Sequence, residues 1–89
     1  MPAPPAFSTR TVTLAPGAVR PHDEDEWQGA LIVVDAGELE LCCRAGGSRR
    51  FGAGAVLWFT GLNLAMVRNP GDVDAVFRAV TRGPPPRPG

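Results

Sequence analysis

The side chains suited to chemistry concentrate in one short run: His22, Asp23, Glu24, Asp25, Glu26 and Trp27. His22 is the only histidine in the chain. Histidine is the side chain whose ordinary pKa lies near neutrality, so this is the residue suited to moving a proton at physiological pH. With Glu24 or Glu26 it could form a partial metal site, an acid–base pair or the polar rim of a pocket. A plain solvated acidic loop accounts for the same residues. A divalent ion left with one or two protein ligands is weakly held, because stable sites draw on more donors. The remaining reactive groups are Cys42 and Cys43. Successive strand residues point to opposite faces, so these neighbours do not bond each other. Only Arg44 lies near them in sequence to lower a thiol pKa, and both read as structural thiols of a reducing compartment. Arg49 and Arg50 are placed to pair with Glu38 and Glu40 at the surface, an arrangement that contributes little to stability.

The elements that must position these groups are strands. A chain of 89 residues buries only about 60% of its unfolded surface, enough for one core and not for two. Residues 1–6 and 83–89 are rich in Pro and Gly and are expected to be flexible tails, leaving a domain over residues 7–82. Thr11 to Leu14 alternates polar and apolar, and Ala15, Pro16 and Gly17 turn the chain into the acidic run. Leu31 to Val34 is a continuous aliphatic run, as in a strand covered on both sides. Asp35 to Gly37 forms a tight turn into Glu38 to Leu41, whose period of two predicts leucines inside and glutamates outside. Ala45 to Ser48 is a hairpin signal. Val56 to Phe59, Leu62 to Arg68 and Val73 to Val80 are further strands, with a turn at Asn69, Pro70 and Gly71. No segment carries a helical period. Short, evenly spaced strands with Gly and Pro turns predict an all-β fold, an antiparallel sandwich or small barrel.

The segment from Gly54 to Asn69 sharpens this. It opens on a glycine, continues through an apolar run, and ends in a second apolar strand and an asparagine. The pattern resembles the second conserved motif of the cupin superfamily, in which a metal-ligating histidine stands eleven positions after the glycine and an asparagine four beyond that. Here the histidine position holds Ala65. The first motif is bracketed by Gly17 and Gly37. Counting back from Gly37 places the family's glutamate ligand at Ala30, and the histidine pair at Asp23 and Asp25 or at Glu24 and Glu26. The resemblance spans about 65 residues, the size of one small domain. It implies a cupin-type jelly roll with neither cofactor nor metal, and with Ala30 and Ala65 pointing inward. Removing volume at those two positions leaves either an open pocket or a collapsed core filled by Trp58, Phe59, Phe51, Ile32 or Leu62. Trp27 and Trp58 are the candidates to line such a pocket, since an indole offers wide apolar area and one donor; core and dimer-interface roles suit them equally. Asn69 reads as a turn former.

Composition excludes several functions. The formal net charge is zero and all nine basic residues are arginine, so there is no basic stripe for nucleic acid. No apolar run reaches the roughly 20 residues that span a bilayer, and the N-terminus lacks a signal-peptide pattern. A cytoplasmic bacterial protein is the expectation. Three roles remain. The first is a metal-free small-molecule binding module using His22, Glu24, Glu26, Trp27, Ala30, Trp58 and Ala65. The second is a metal-independent isomerase, epimerase or cyclase with His22 as base, and the third is a dimeric scaffold without a ligand. The small core and open β edges predict a homodimer, and the first role is the one we carry forward.

Overall fold

The computed structural model describes residues 7–82. The expected tails, 1–6 and 83–89, lie outside the described residues. Eight strands and one helical turn follow in order: β1 Phe7–Leu14, β2 Val19–Pro21, α1 Glu24–Trp27, β3 Leu31–Ala36, β4 Glu38–Cys43, β5 Ser48–Gly52, β6 Val56–Trp58, β7 Leu64–Arg68 and β8 Ala75–Arg82. They form two antiparallel four-stranded sheets with strand orders β1-β8-β3-β6 and β2-β7-β4-β5. Sequence neighbours β3 and β4 sit in different sheets, as do β1 and β2, which is the connectivity of a jelly roll.

The period of two decides which residues face inward. In the first sheet Val12 opposes Phe77, Phe77 opposes Val34, and Ile32 lies between Ala79 and Leu57. In the second, Leu41 lies between Val67 and Arg49, while Leu39 opposes Phe51. These inner faces meet in a core containing Trp27, Ile32, Val34, Leu39, Phe59, Leu64 and Phe77, each at most 1% exposed. Burying a large aliphatic or aromatic side chain stabilises by about 1.5–3 kcal/mol before entropy is counted.

Turn chemistry fixes the register. Gly46 and Gly47 adopt φ of 94° and 86° between β4 and β5, and Cys43 N donates to Gly47 O at 3.1 Å. Gly37, at φ 71°, joins β3 to β4, and a Cβ there would lie 2.5 Å from Asp74 O, so no side chain fits.

One expected loop, Asp23 to Trp27, is a helical turn: Glu24–Trp27 is capped by Asp23, whose carboxylate accepts from Asp25 N at 3.0 Å. The strands β2 and β5 lacked a readable signal, the first because it is three residues long and ends in Pro21, the second because Phe51 is its one large apolar residue. Glu40 faces outward as expected, yet it is buried at 6% exposure. Arg68 and Arg50 on the flanking strands cover it. Among the described residues no helix is long and apolar enough to cross a membrane.

Candidate functional site

The edge strands β5 and β6 end their respective sheets on the same side of the sandwich. β6 is only three residues long, so after Trp58 the chain leaves the sheet and the two edges are not sealed together. The result is a concavity of about 440 Å³. Leu41, Cys43 and Leu64 line it from the second sheet, Leu57 lines it from the first with Trp58 at the rim, and Thr60 and Leu62 contribute from the β6–β7 loop. Arg49 and Phe51, alternate residues of β5, complete the lining. Ligand pockets typically measure about 300–1,000 Å³ and are mostly apolar with a few placed polar groups, which is the character of this one.

The residues singled out from the sequence do not gather here. Trp58 does, 53% exposed at the rim. His22 and Glu24 line a separate polar hollow of about 240 Å³ with Arg44 and Asn63, separated from the first by Leu64, which lines both. Glu26, Trp27 and Ala30 line a third, of about 520 Å³, against β1 and β8. Ala65 lines none of the three.

The inward orientation expected of Ala65 is not what the structure has. Cys42 opposes Met66 while Cys43 opposes Leu64, so Ala65 is the extra residue of a β-bulge in β7. It is exposed, and Leu64 takes the inward place. Ala30 is buried as expected, with Trp27 beside it in the wall of the third hollow. Ala30 N donates to Trp27 O at 3.0 Å, and the Trp27 indole is 1% exposed. The indole stands edge-on to Phe59 at 5.5 Å and is tilted on Phe77 at 5.8 Å. Its face carries the Arg10 guanidinium at 4.4 Å and that of Arg20 at 5.5 Å, and both arginines also donate to Glu26. Trp27 is thus a core plug; of the side chains expected to fill the gap, Phe59 and Ile32 are buried in the same core, Phe51 packs against it, and Trp58 and Leu62 are exposed.

His22 continues β2 inward and its N–H donates to Ala65 O at 3.0 Å. Its side chain is 2% exposed, with Nε2 2.7 Å from Glu24 Oε2 and its ring edge-on to Phe59 at 6.2 Å. Glu24 also accepts from Gly61 N at 3.1 Å. These two bonds hold the Glu24 carboxyl below the usual carboxylate range, the His22 contact contributing most. The pair therefore ties α1 to the β6–β7 loop that contributes to the apolar cavity. The buried Nδ1 of His22 has no hydrogen-bond partner among the described residues.

A metal does not fit the donors present. Among the described residues no three of His, Cys, Asp and Glu come together as a metal site. The two thiols are free and on opposite faces, Cys43 toward the cavity and Cys42 beside Glu40. Burial, and then the Glu40 charge, push the Cys42 thiol up, which suits a structural role.

Arg49 is the residue the sequence reading misplaced. Sequence proximity sets it beside Arg50 as a partner for the β4 glutamates, yet neighbours on a strand face opposite ways. Arg50 Nε reaches Glu40 at 3.4 Å, while Arg49 faces the cavity. The alternation of Ser48, Arg49, Arg50 and Phe51 was the available signal.

No family model and no curated protein matches the sequence. Solved structures do. The chain is similar to the Cupin_2 domain of an XRE family transcriptional regulator from Enterobacter cloacae, at 27% identity and a TM-score of 0.61, covering 90% of this chain and 83% of that one. It is also similar to a Cupin 2 conserved barrel domain protein from Salinispora arenicola, at 27% identity and a TM-score of 0.65, covering 94% of this chain and 71% of that one.

Proposed function

We propose that this chain, which has the cupin fold, is a metal-free module that binds a small, partly apolar molecule between the edges of β5 and β6. The observation that carries the proposal is the 440 Å³ cavity with its largely apolar lining and one cationic side chain. Interiors otherwise pack to crystal-like density, so a hollow of this size between two sheets is a feature to be explained. The metal-free character rests on the donor set: alanine stands at two positions where the family motif has ligands, and His22 has committed Nε2 to Glu24. That one structural neighbour belongs to a transcriptional regulator supports binding over catalysis.

The test is a two-dimensional NMR titration of the protein with a panel of apolar acids, alcohols and aryl compounds, together with elemental analysis. Saturable shifts confined to Leu57, Trp58, Leu62 and Leu64 are expected, with far less than one transition metal per chain. A silent panel would sink the binding role, and about one zinc, iron, manganese or nickel per chain would sink the metal-free one.

A second role, metal-independent acid–base catalysis, is favoured by the 2.7 Å contact of His22 with Glu24, in which a carboxylate orients an imidazole. Against it, the ring is nearly inaccessible. If catalysis occurs, His22→Ala should lower turnover by about 10²–10⁴-fold with the fold intact; unchanged turnover removes His22 from any mechanism.

A further inference from the structure

Resting on the binding role just proposed, we infer that the ligand class is a monoanionic carboxylic acid with an apolar body, its carboxylate held by Arg49. The cavity wall contains one formal charge. Leu41, Phe51, Leu57, Leu62 and Leu64 are apolar, Thr60 and Cys43 offer a hydroxyl and a thiol, and no carboxylate lines the site. An ammonium group would therefore find only a like charge, and a neutral body would leave the arginine uncomplemented.

Six other arginines are already engaged. Arg10 and Arg20 donate to Glu26, Arg50 and Arg68 to Glu40, Arg78 to Asp35 and Arg44 to Leu64 O. Arg49 is the one arginine lining this apolar cavity, and its side chain has no hydrogen bond or ion pair to a described residue; Arg82, whose side chain is likewise unpaired among the described residues, lines the separate hollow that also holds Asp25 and Glu26. Its guanidinium is a planar fork that matches a carboxylate bidentately, and charge-assisted pairs of this kind are the strong ones. One arginine neutralises one negative charge, which argues for a monoanion. Even at the roughly 30 Å³ that a whole water molecule occupies in the liquid, a generous allowance for one bonded non-hydrogen atom, a cavity of about 440 Å³ has room for roughly fifteen such atoms. That is the size of a medium-chain fatty acid or an arylalkanoic acid.

Position makes the arginine selective and not merely attractive. Arg49 stands opposite Leu41 in the β4–β5 register, so its stem starts beside a residue that lines the cavity. Phe51, two residues on, shares its face of β5. A carboxylate on the guanidinium would then place its tail along Phe51 and Leu57, toward the Trp58 rim.

The experiment compares decanoate, decanol and decylammonium by calorimetric or NMR titration of the intact protein, Arg49→Gln and Arg50→Gln, with circular dichroism confirming each fold. The expected result is decanoate bound about ten- to a hundredfold more tightly than decanol, with decylammonium weakest. Arg49→Gln should abolish the preference by weakening decanoate alone, and Arg50→Gln, on the opposite face, should change nothing. Equal binding of acid and alcohol, unaffected by Arg49→Gln, overturns the carboxylate inference and leaves the apolar binding role standing. Equal losses in both arginine variants overturn it too, since they would show a general charge effect. Failure of all three probes to bind removes the inference together with the binding role.

Discussion

Asn69 reaches across the sandwich to Leu14: its Nδ2 donates to the Leu14 carbonyl oxygen at 2.9 Å, a bond between residues 55 apart in the chain. The same amide donates to Val73 O at 2.7 Å, and its Oδ1 accepts from Gly71 N at 2.9 Å. The backbone of Asn69 is paired as well, with Gly17 N and Ala18 O. A fully buried side chain that satisfies three backbone groups holds the end of β1, the β1–β2 turn and the β7–β8 loop in one arrangement.

Asn69→Ala should therefore lower unfolding free energy by more than about 2 kcal/mol, because buried backbone groups are left unpaired. Asn69→Asp should cost at least as much, since it sets carboxylate oxygens against two carbonyl oxygens. Urea denaturation of the purified variants measures both. A loss under about 0.5 kcal/mol in either would place Asn69 outside the structural framework.

Glu40 supplies a pH dependence of definite sign. Hydrogen bonding from Arg68, then its charge and Arg50, hold the Glu40 carboxyl below the usual carboxylate range, against the opposing effect of burial. A group whose pKa is lower folded than unfolded binds fewer protons when folded, so its stabilisation is present above the unfolded pKa and is lost as pH falls through the folded one. Glu40→Gln should make the acid limb of the stability-versus-pH curve shallower than in the parent. Parallel acid limbs in the two proteins would show that the Arg68 pairing contributes nothing.

The two motif alanines should part company. Leucine at exposed, bulged Ala65 should change stability by no more than about 0.5 kcal/mol. At Ala30, packed beneath Trp27, the same change should cost about 1–3 kcal/mol through overpacking. Thermal or chemical unfolding reads both. Equal losses would mean that the β7 bulge is not where the structure has it.

We expect a homodimer. The outer face of the β1-β8-β3-β6 sheet presents Val56 and Trp58, 59% and 53% exposed, beside the half-buried Leu31, Val33 and Val80. Contiguous apolar surface of this kind is uncommon on a free monomer. Light scattering at micromolar concentration should give twice the chain mass, and Val56→Glu should halve it. A monomer mass for the parent protein would end the expectation.

Strong alternation was legible in the sequence and weak alternation was not. Ile32, Val34, Leu39 and Leu41 announce their strands and their inner faces, and the glycines at 37, 46 and 47 announce the turns between them. The edge strand β5 carries Arg49, whose orientation follows only once the strand itself is recognised. Motif spacing agrees with the burial of Ala30 because the register shift in β3, between Val34 and Ala36, lies after the inward-facing Ile32 and Val34. It misplaced Ala65 because one bulged residue reverses every face beyond it, and no residue type marks this bulge in advance. The single turn of α1 is too short to show a period, although Asp23 followed by Glu24, Asp25 and Glu26 is a good capping and dipole signal in retrospect.

The register between β1 and β8 has a consequence for how the molecule assembles. Phe7 opposes Arg82 and Leu14 opposes Ala75, an eight-residue ladder joining the first and last strands. Its contacts have nearly the largest sequence separation the described chain allows, and such contacts reward folding only after most of the chain's loop-closure entropy has been lost. Folding should accordingly be slow for so short a polypeptide. A circular permutant that bridges residues 82 and 7 and reopens the chain between Gly46 and Gly47 would make that ladder a local hairpin, and its refolding limb should rise above that of the parent.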